Sequence, residues 1–167
     1  MDLVYKKVVP SDREQTLRLI ESVIKGLKDP DFFIPYEQWE LNNLFDDKNY
    51  ALLYGAYDGS RLVAIMQVYV KPDMVDDLKN ELGLTEYKVC ELGGALVLPE
   101  YRGRGVAIKL GLLCVNLAKE LGFDYIVAAA HPENRSSWAS IEREVDCVKE
   151  TVLPNGFYRK LYIKKLN

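Results

Sequence analysis

The sequence is poor in the residues that metal sites and disulfide frameworks require. Its 167 residues include three cysteines and one histidine, His131. The cysteines, Cys90, Cys114 and Cys147, lack the spacing of a metal site, and an odd number cannot pair completely. This pattern predicts no bound metal, and it favours the reducing environment of the cytoplasm over secretion.

Long apolar runs and an excess of basic charge are also missing. No stretch approaches the ~20 apolar residues of a transmembrane helix. The N-terminus carries Asp2, Lys6 and Lys7 in place of the apolar run of a signal peptide. The formal net charge is −3, whereas a nucleic-acid-binding surface is basic. We therefore expect neither a nucleic-acid partner nor attachment to a membrane.

The composition is typical of one globular domain that alternates strands and helices. Hydrophobic residues make up 49% of the chain and charged residues 28%, so residues 1–167 are predicted to form a single domain. The patterns predict strands over 3–9, 51–57, 62–70, 88–97, 125–130, 148–153 and 157–164. They predict a helix that begins at a capping box at 11–14, includes Leu27 in its apolar face and is stopped by Gly26 and Pro30. Further helices are predicted over 36–44, 72–84, 106–121 and 135–144. This alternation favours an α/β fold with a mixed sheet.

One loop between a strand and a helix carries most of the functional information. The strand that ends at Val97 is followed by Gly103 and Gly105, with Arg102 and Arg104 interleaved, and then by an apolar helix. Glycines let a ligand approach the backbone closely, and the first amides of a helix have no partners within the helix. Phosphate oxygens satisfy such amides. The loop therefore predicts a pyrophosphate site.

Spacing separates three kinds of nucleotide loop. A Walker loop needs Gly-Lys-Ser/Thr, which is missing here. A dinucleotide fingerprint needs a third glycine, where this chain has Ile108, and an acidic residue after the next strand, where it has Ala130 and His131. The run Arg102-x-x-Gly105-x-Ala107 instead resembles the acetyl-CoA signature of the GNAT superfamily of N-acetyltransferases.

The resemblance extends to the order of elements over nearly the whole chain. It implies an α/β (α+β) fold with a mixed, mainly antiparallel central sheet flanked by helices, in which the strands that contain Ala95 and Ala128 splay apart and admit pantetheine. The predicted helix over 72–84 is an insertion relative to the family plan. It is expected to border the acceptor site or to form a subunit contact, and a homodimer is one possibility.

The same resemblance assigns the residues that contact coenzyme A. They are Leu96, Val97, Arg102, Gly103, Arg104, Gly105, Val106, Ala107, Asn134 and Ser137. For Asn134 a second role is equally compatible with the sequence, because asparagine is favoured as a helix cap without any ligand.

Two residues are candidates for the proton transfer. Glu91 lies on the strand before the loop, in the same pleat parity as Ala95 and Val97. Three roles are open for its carboxylate. If it is partly buried, its pKa is raised and it can accept a proton through water. Otherwise it binds a cationic acceptor or faces solvent. His131 is the second candidate, because histidine is the residue type most often used as a base, but a histidine at a strand end also serves as a structural hydrogen-bond partner.

The acceptor site is expected between the first two helices. Phe33 and Tyr36 lie where the family builds its acceptor wall, with Glu91 as a further contact, although aromatic residues also fill cores. The acidic composition favours a small-molecule amine or an amino-acid derivative, and a protein or peptide acceptor is the alternative.

The resemblance implies an enzyme. Acetyl-CoA is the expected co-substrate, and its acetyl group moves to a primary amine by direct transfer through a tetrahedral intermediate. Many relatives protonate the leaving thiolate with a tyrosine, and here that position is Ile141. This departure leaves open a non-catalytic acetyl-CoA-binding sensor.

Overall fold

The structure is a computed structural model that describes residues 2–135, 137, 141–142 and 145–167. Its described residues form a seven-stranded sheet in the order β1-β2-β3-β4-β5-β7-β6. Only β4 and β5 are parallel neighbours, and every other pair is antiparallel. The strands are β1 (Val4–Lys7), β2 (Ala51–Asp58), β3 (Arg61–Tyr69), β4 (Val89–Val97), β5 (Tyr125–Ala130), β6 (Asp146–Val152) and β7 (Tyr158–Lys165). This confirms the predicted mixed, mainly antiparallel sheet.

Four helices of the described chain flank the sheet. They are α1 (Arg13–Lys25), α2 (Gln38–Asn42), α3 (Pro72–Leu82) and α4 (Val106–Glu120). Helix α1 packs on β3 and β4, and α4 packs on β2, β3 and β4. The apolar stripe of α1 puts Leu19, Ile20 and Val23 into the main core. The predicted helix over 135–144 lies largely outside the described residues.

The predicted capping box at the start of the first helix is wrong. A short 3₁₀ turn, Pro10–Asp12, precedes α1, and the Asp12 side chain caps no helix amide. Its carboxylate instead accepts hydrogen bonds from the Tyr57 hydroxyl and the Gln15 amide. A tertiary contact from the sheet has therefore replaced the local cap.

Helix α3, the predicted insertion, covers a second apolar cluster beside the main core. Val75 and Leu78 of α3 pack with Val89 of β4, Val127 of β5 and Leu161 of β7. Its other faces carry exposed polar residues. The insertion thus closes the face of the sheet where β4 and β5 run parallel.

Strand β4 contains a β-bulge that changes its pleat. Gln67 of β3 pairs with Gly93 of β4, and Ile65 of β3 pairs with Leu96 of β4. The two residues on β3 are two positions apart, whereas their partners on β4 are three positions apart. The extra residue is accommodated at Gly94, which has a φ of 60°. Because the bulge shifts the alternation, Glu91 shares its face with Gly93 and Leu96. The predicted common parity of Glu91 with Ala95 and Val97 is wrong.

The second cluster should contribute to global stability. Leu78→Ala removes a side chain that is 4% exposed, and it should lower the free energy of unfolding by about 2–5 kcal/mol because it leaves a cavity. Asp77→Ala, on the exposed side of the same helix, should change it by less than about 0.5 kcal/mol. Chemical denaturation measures both. A loss below about 1 kcal/mol for Leu78→Ala would show that α3 is not part of the cooperative fold.

Candidate functional site

The two central parallel strands separate halfway along their length. β4 and β5 are paired only at Val89–Tyr125, Cys90–Ile126 and Glu91–Val127. Beyond Glu91, β4 continues along β3 to Val97, and β5 continues along β7 to Ala130. This confirms the predicted splay. Beyond Glu91 the facing edges of β4 and β5 therefore do not hydrogen-bond to each other. An extended ligand that pairs with both strands would require this opening.

The Val97 amide is directed into this gap. The Leu98 N–H donates to the Val63 carbonyl oxygen on β3, at 3.0 Å. Successive backbone groups in a strand point to opposite sides, so the Val97 N–H and C=O point away from β3. The Arg102 Nε–H donates a hydrogen bond to the Val97 carbonyl oxygen at 3.0 Å. The N–H of Val97 is therefore placed to donate to a ligand oxygen.

The loop before α4 is built to receive an anion. Gly103 and Gly105 have φ values of 71° and 75°, and a Cβ added at either would meet no atom within 4 Å. No acidic residue stands in the first turn of α4, so its amides and dipole favour a negative ligand. Val106 is buried and Ala107 packs against the core, which fixes the helix start beneath the loop. The side chain of Leu96 is also buried, so it could reach a ligand only through its backbone.

Asn134 lies at the turn that follows β5. Its N–H donates to the His131 carbonyl oxygen, and its carbonyl oxygen accepts from the Ser137 N–H. Asn134 thus follows β5 on the β5 side of the gap. Its role as a helix cap and the contact of Asn134 and Ser137 with coenzyme A stay predictions. Ile141 packs against the main core.

His131 is engaged in local contacts. Its Nδ1 accepts a hydrogen bond from the Glu133 N–H at 3.1 Å, and its ring lies 5.0 Å from that of Phe32. With Nδ1 as acceptor, a neutral imidazole carries its proton on Nε2. Neither ring nitrogen then has a free lone pair with which to take a proton from an amine substrate. This favours the structural role for His131.

Tyr36 and Glu91 meet in a buried polar cluster around the bulge. The Tyr36 hydroxyl donates to Gln67 Oε1 at 2.6 Å, and the Tyr69 hydroxyl donates to the same oxygen at 3.0 Å. Glu91 stands opposite Tyr69 in the ladder. The Gly93–Gly94 bulge brings the backbone of β4 against these side chains, because a Cβ at Gly94 would lie 2.6 Å from Gln67 Oε1.

The Glu91 side chain is partly buried. No hydrogen bond from the described residues reaches its carboxyl group. Burial, together with the negative charge of Glu40, raises the pKa of Glu91 to about 8. Burial also raises the pKa of Tyr69. A carboxyl in this state exchanges a proton near neutral pH, which is the property of a general base.

Aromatic rings border the cluster on the side of α2. Phe33 packs against Tyr36 with ring centres 5.5 Å apart. The segment before Phe33 is held to β7 by Arg159, which is 3% exposed and donates to the Asp31 carbonyl oxygen. Phe33 and Tyr36 thus pack together, and Gln67 and Tyr69 lie between Tyr36 and Glu91.

Sequence reasoning missed Gln67 and Tyr69. Both lie on β3, whose other residues after Arg61 are apolar. A fully buried glutamine in the middle of such a strand was the available signal, since buried polar side chains need a partner or a purpose. The pair Gly93-Gly94 was a second signal, because glycine inside a strand marks a bulge or a close approach.

Two classes of site find no support in the described part of the chain. Its histidine, cysteine and carboxylate side chains form no group of three placed to hold a metal ion. None of its helices combines the length and apolar character needed to cross a bilayer.

Comparisons with known proteins agree with this geometry. The model of the acetyltransferase (GNAT) family matches residues 19–145. An N-acetyltransferase from Staphylococcus aureus Mu50 is similar at a TM-score of 0.75 and 15% identity over 100% of both chains. NAA60 of Arabidopsis thaliana, solved with acetyl-CoA, has a TM-score of 0.74 and 17% identity over 99% of both chains. No curated protein sequence matches the chain significantly.

The glycine loop can be tested against a matched glycine at the other end of α4. Gly105→Asp puts a side chain and a negative charge where a phosphate would approach, so the Kd for CoA should rise more than about 100-fold by calorimetry. Gly122→Asp is the control, because Gly122 has the same φ of 75° and the same open surroundings. Its backbone strain is equal, and its Kd should stay within about twofold of wild type. Equal losses in both variants would place the anion site elsewhere.

Proposed function

The chain belongs to the GNAT family of acetyltransferases, and on this premise we propose that it acetylates the primary amine of a small molecule or amino-acid derivative. Members of the family are acetyl-CoA-dependent N-acetyltransferases. The single observation that carries the choice of acceptor is the Glu91–Tyr36 cluster. It is an electronegative, partly buried group of side chains bordered by aromatic rings, which suits a compact cationic group.

The residues present fit acetyl-CoA as the co-substrate. Gly103 and Gly105 leave the space that a pyrophosphate needs, and the start of α4 presents its amides there. The splayed edges of β4 and β5 offer backbone groups to a pantetheine chain. Acetyl-CoA supplies a thioester carbonyl that an amine can attack and a thiolate that can leave.

Glu91 acts as the general base. An amine enters largely as an ammonium ion and must lose a proton before its nitrogen has a lone pair. Glu91 takes that proton directly or through one water. Because its pKa is raised to about 8, Glu91 can both accept and release a proton near pH 8. Tyr36 and Phe33 orient the acceptor beside it.

The backbone and the leaving group complete the chemistry. The Val97 N–H, directed into the gap, stabilises negative charge that develops on the carbonyl oxygen. Ile141 packs and donates no proton. A thiol has an ordinary pKa of about 8.5, so the sulfur departs as thiolate without a dedicated acid.

The proposal is tested by following CoA release from acetyl-CoA with a panel of acceptors. Small primary amines and amino-acid amides should support turnover, and unstructured peptides should be poorer acceptors. Turnover with peptides alone would favour the peptide acetyltransferase. Binding of acetyl-CoA without turnover of any acceptor would favour the sensor.

Replacement of the base should separate Glu91 from His131. Glu91→Gln should lower kcat about 100-fold or more without changing the Kd for CoA, because positioned bases contribute about that much. In the wild type, kcat should rise about tenfold per pH unit below pH 8 and level off above it, because the base must be ionised. This rise should be missing in Glu91→Gln.

Two further variants complete that comparison. Glu86→Gln removes an exposed carboxylate outside the cluster and should leave kcat unchanged. His131→Ala should lower kcat less than about tenfold. A larger loss for His131→Ala than for Glu91→Gln would move the role of base to the histidine.

A further inference from the structure

Gln67 is an unusual residue for the centre of a sheet. Its side chain is 0% exposed, and it lies in the middle of β3. Its Oε1 accepts two hydrogen bonds, from Tyr36 and Tyr69. Its Nε2 is buried and has no partner among the described residues. Such an orphaned donor is costly, so its orientation requires an explanation.

We propose that Gln67 is a positioning residue that makes this site selective for a primary ammonium group. It fixes the hydroxyl protons of Tyr36 and Tyr69 on its own Oε1, so that both phenol oxygens present lone pairs to the acceptor. With the Glu91 carboxylate they form three hydrogen-bond acceptors for the three N–H donors of a primary ammonium. The inference rests on the proposed function and names the determinant of its acceptor.

The shorter of the two bonds identifies the shared atom as Oε1, and the Tyr69 hydroxyl, which contacts the same atom at 3.0 Å, must then donate to it as well. The 2.6 Å between the Tyr36 oxygen and Gln67 Oε1 fits an O–H···O bond, whereas an N–H···O bond is normally near 2.9–3.0 Å. A hydroxyl has one proton. Once that proton is donated to Gln67, the oxygen can only accept.

The alternative orientation of the carboxamide shows what the observed one achieves. A reversed amide would let Nε2 donate to both phenol oxygens and would remove the orphaned donor. The hydroxyl protons would then point away from Gln67 and would repel an ammonium. The observed orientation leaves Nε2 without a partner, and it gives the pocket a uniform acceptor character.

The three acceptors lie around the bulge glycines. A Cβ at Gly94 would lie 3.0 Å from the Tyr69 hydroxyl and 3.1 Å from the Tyr36 hydroxyl, and one at Gly93 would lie 3.7 Å from Glu91 Oε1. These short distances place the backbone of the two glycines against the oxygens, where any larger residue would collide with them. Nearby Glu40, which accepts from the Tyr50 hydroxyl, adds negative charge. These features favour a small cation with several N–H groups.

The test compares a primary amine with its N-methyl counterpart. Alaninamide, benzylamine and putrescine serve as probes, and the best acceptor is assayed beside its N-methylated form. Wild type should prefer the primary amine. Gln67→Met keeps the length of the side chain but accepts no strong hydrogen bond, so KM for the primary amine should rise about tenfold and the preference should fall about fivefold. The Kd for CoA, which reports the fold, should not change.

A double-mutant cycle shows whether Gln67 acts through the two tyrosines. In a Tyr36→Phe/Tyr69→Phe background there are no hydroxyls to orient, so Gln67→Met should change KM less than about twofold. Gln67→Glu, which keeps the accepting oxygens, should retain most of the preference for the primary amine. An equal effect of Gln67→Met in both backgrounds would overturn the inference and leave the proposed function standing.

Two further outcomes are decisive. If Gln67→Met does not fold, the single variants Tyr36→Phe and Tyr69→Phe replace it. Each should lower the preference for the primary amine, and an unchanged preference in both would overturn the inference. If wild type turns over none of the three amines, the proposed small-amine function fails and the inference fails with it.

Discussion

The candidate site depends on one geometric constraint, the departure of β4 from β5 beyond Glu91. Up to that residue the two strands pair as in any parallel ladder, and the bulge at Gly93–Gly94 then turns β4 along β3 alone. The same bend opens the gap for an extended ligand, directs the Val97 amide into it and presses the backbone against Gln67. Binding and chemistry thus share a single irregularity in the sheet.

The polar cluster beside the bulge illustrates the cost of function in a core. A carboxyl without a hydrogen-bond donor, two buried phenols and an orphaned amide would be replaced by apolar residues if stability alone were selected. Ionisation of Glu91 is opposed by burial, so the native state binds its proton more tightly than the unfolded chain does. Its contribution to stability therefore decreases as pH rises from about 4.5 to about 8. The burial of the two apolar clusters on the rest of the sheet offsets this loss of stability.

The sequence allowed most of the fold to be predicted, including the separation of the two central strands, whereas the site residues stay predictions. Every predicted strand lies within two residues of an observed one, because alternation and turn residues are local signals. The capping box failed because Asp12 bonds to Tyr57, 45 residues away. The parity of Glu91 failed because a bulge cannot be read from alternation, and Gln67 was missed because its partners come from distant segments. The cytoplasmic location and the homodimer stay predictions.

The central claim is that Glu91, partly buried and without a hydrogen-bond donor among the described residues, has a pKa raised to about 8. The most direct measurement is a carbon-13 NMR titration of the glutamate side-chain carboxyls, in which Glu91→Gln identifies the Glu91 signal by its loss. Our account predicts a midpoint near pH 8 for that signal. A midpoint below about 5, the range of an ordinary solvated glutamate, would contradict it.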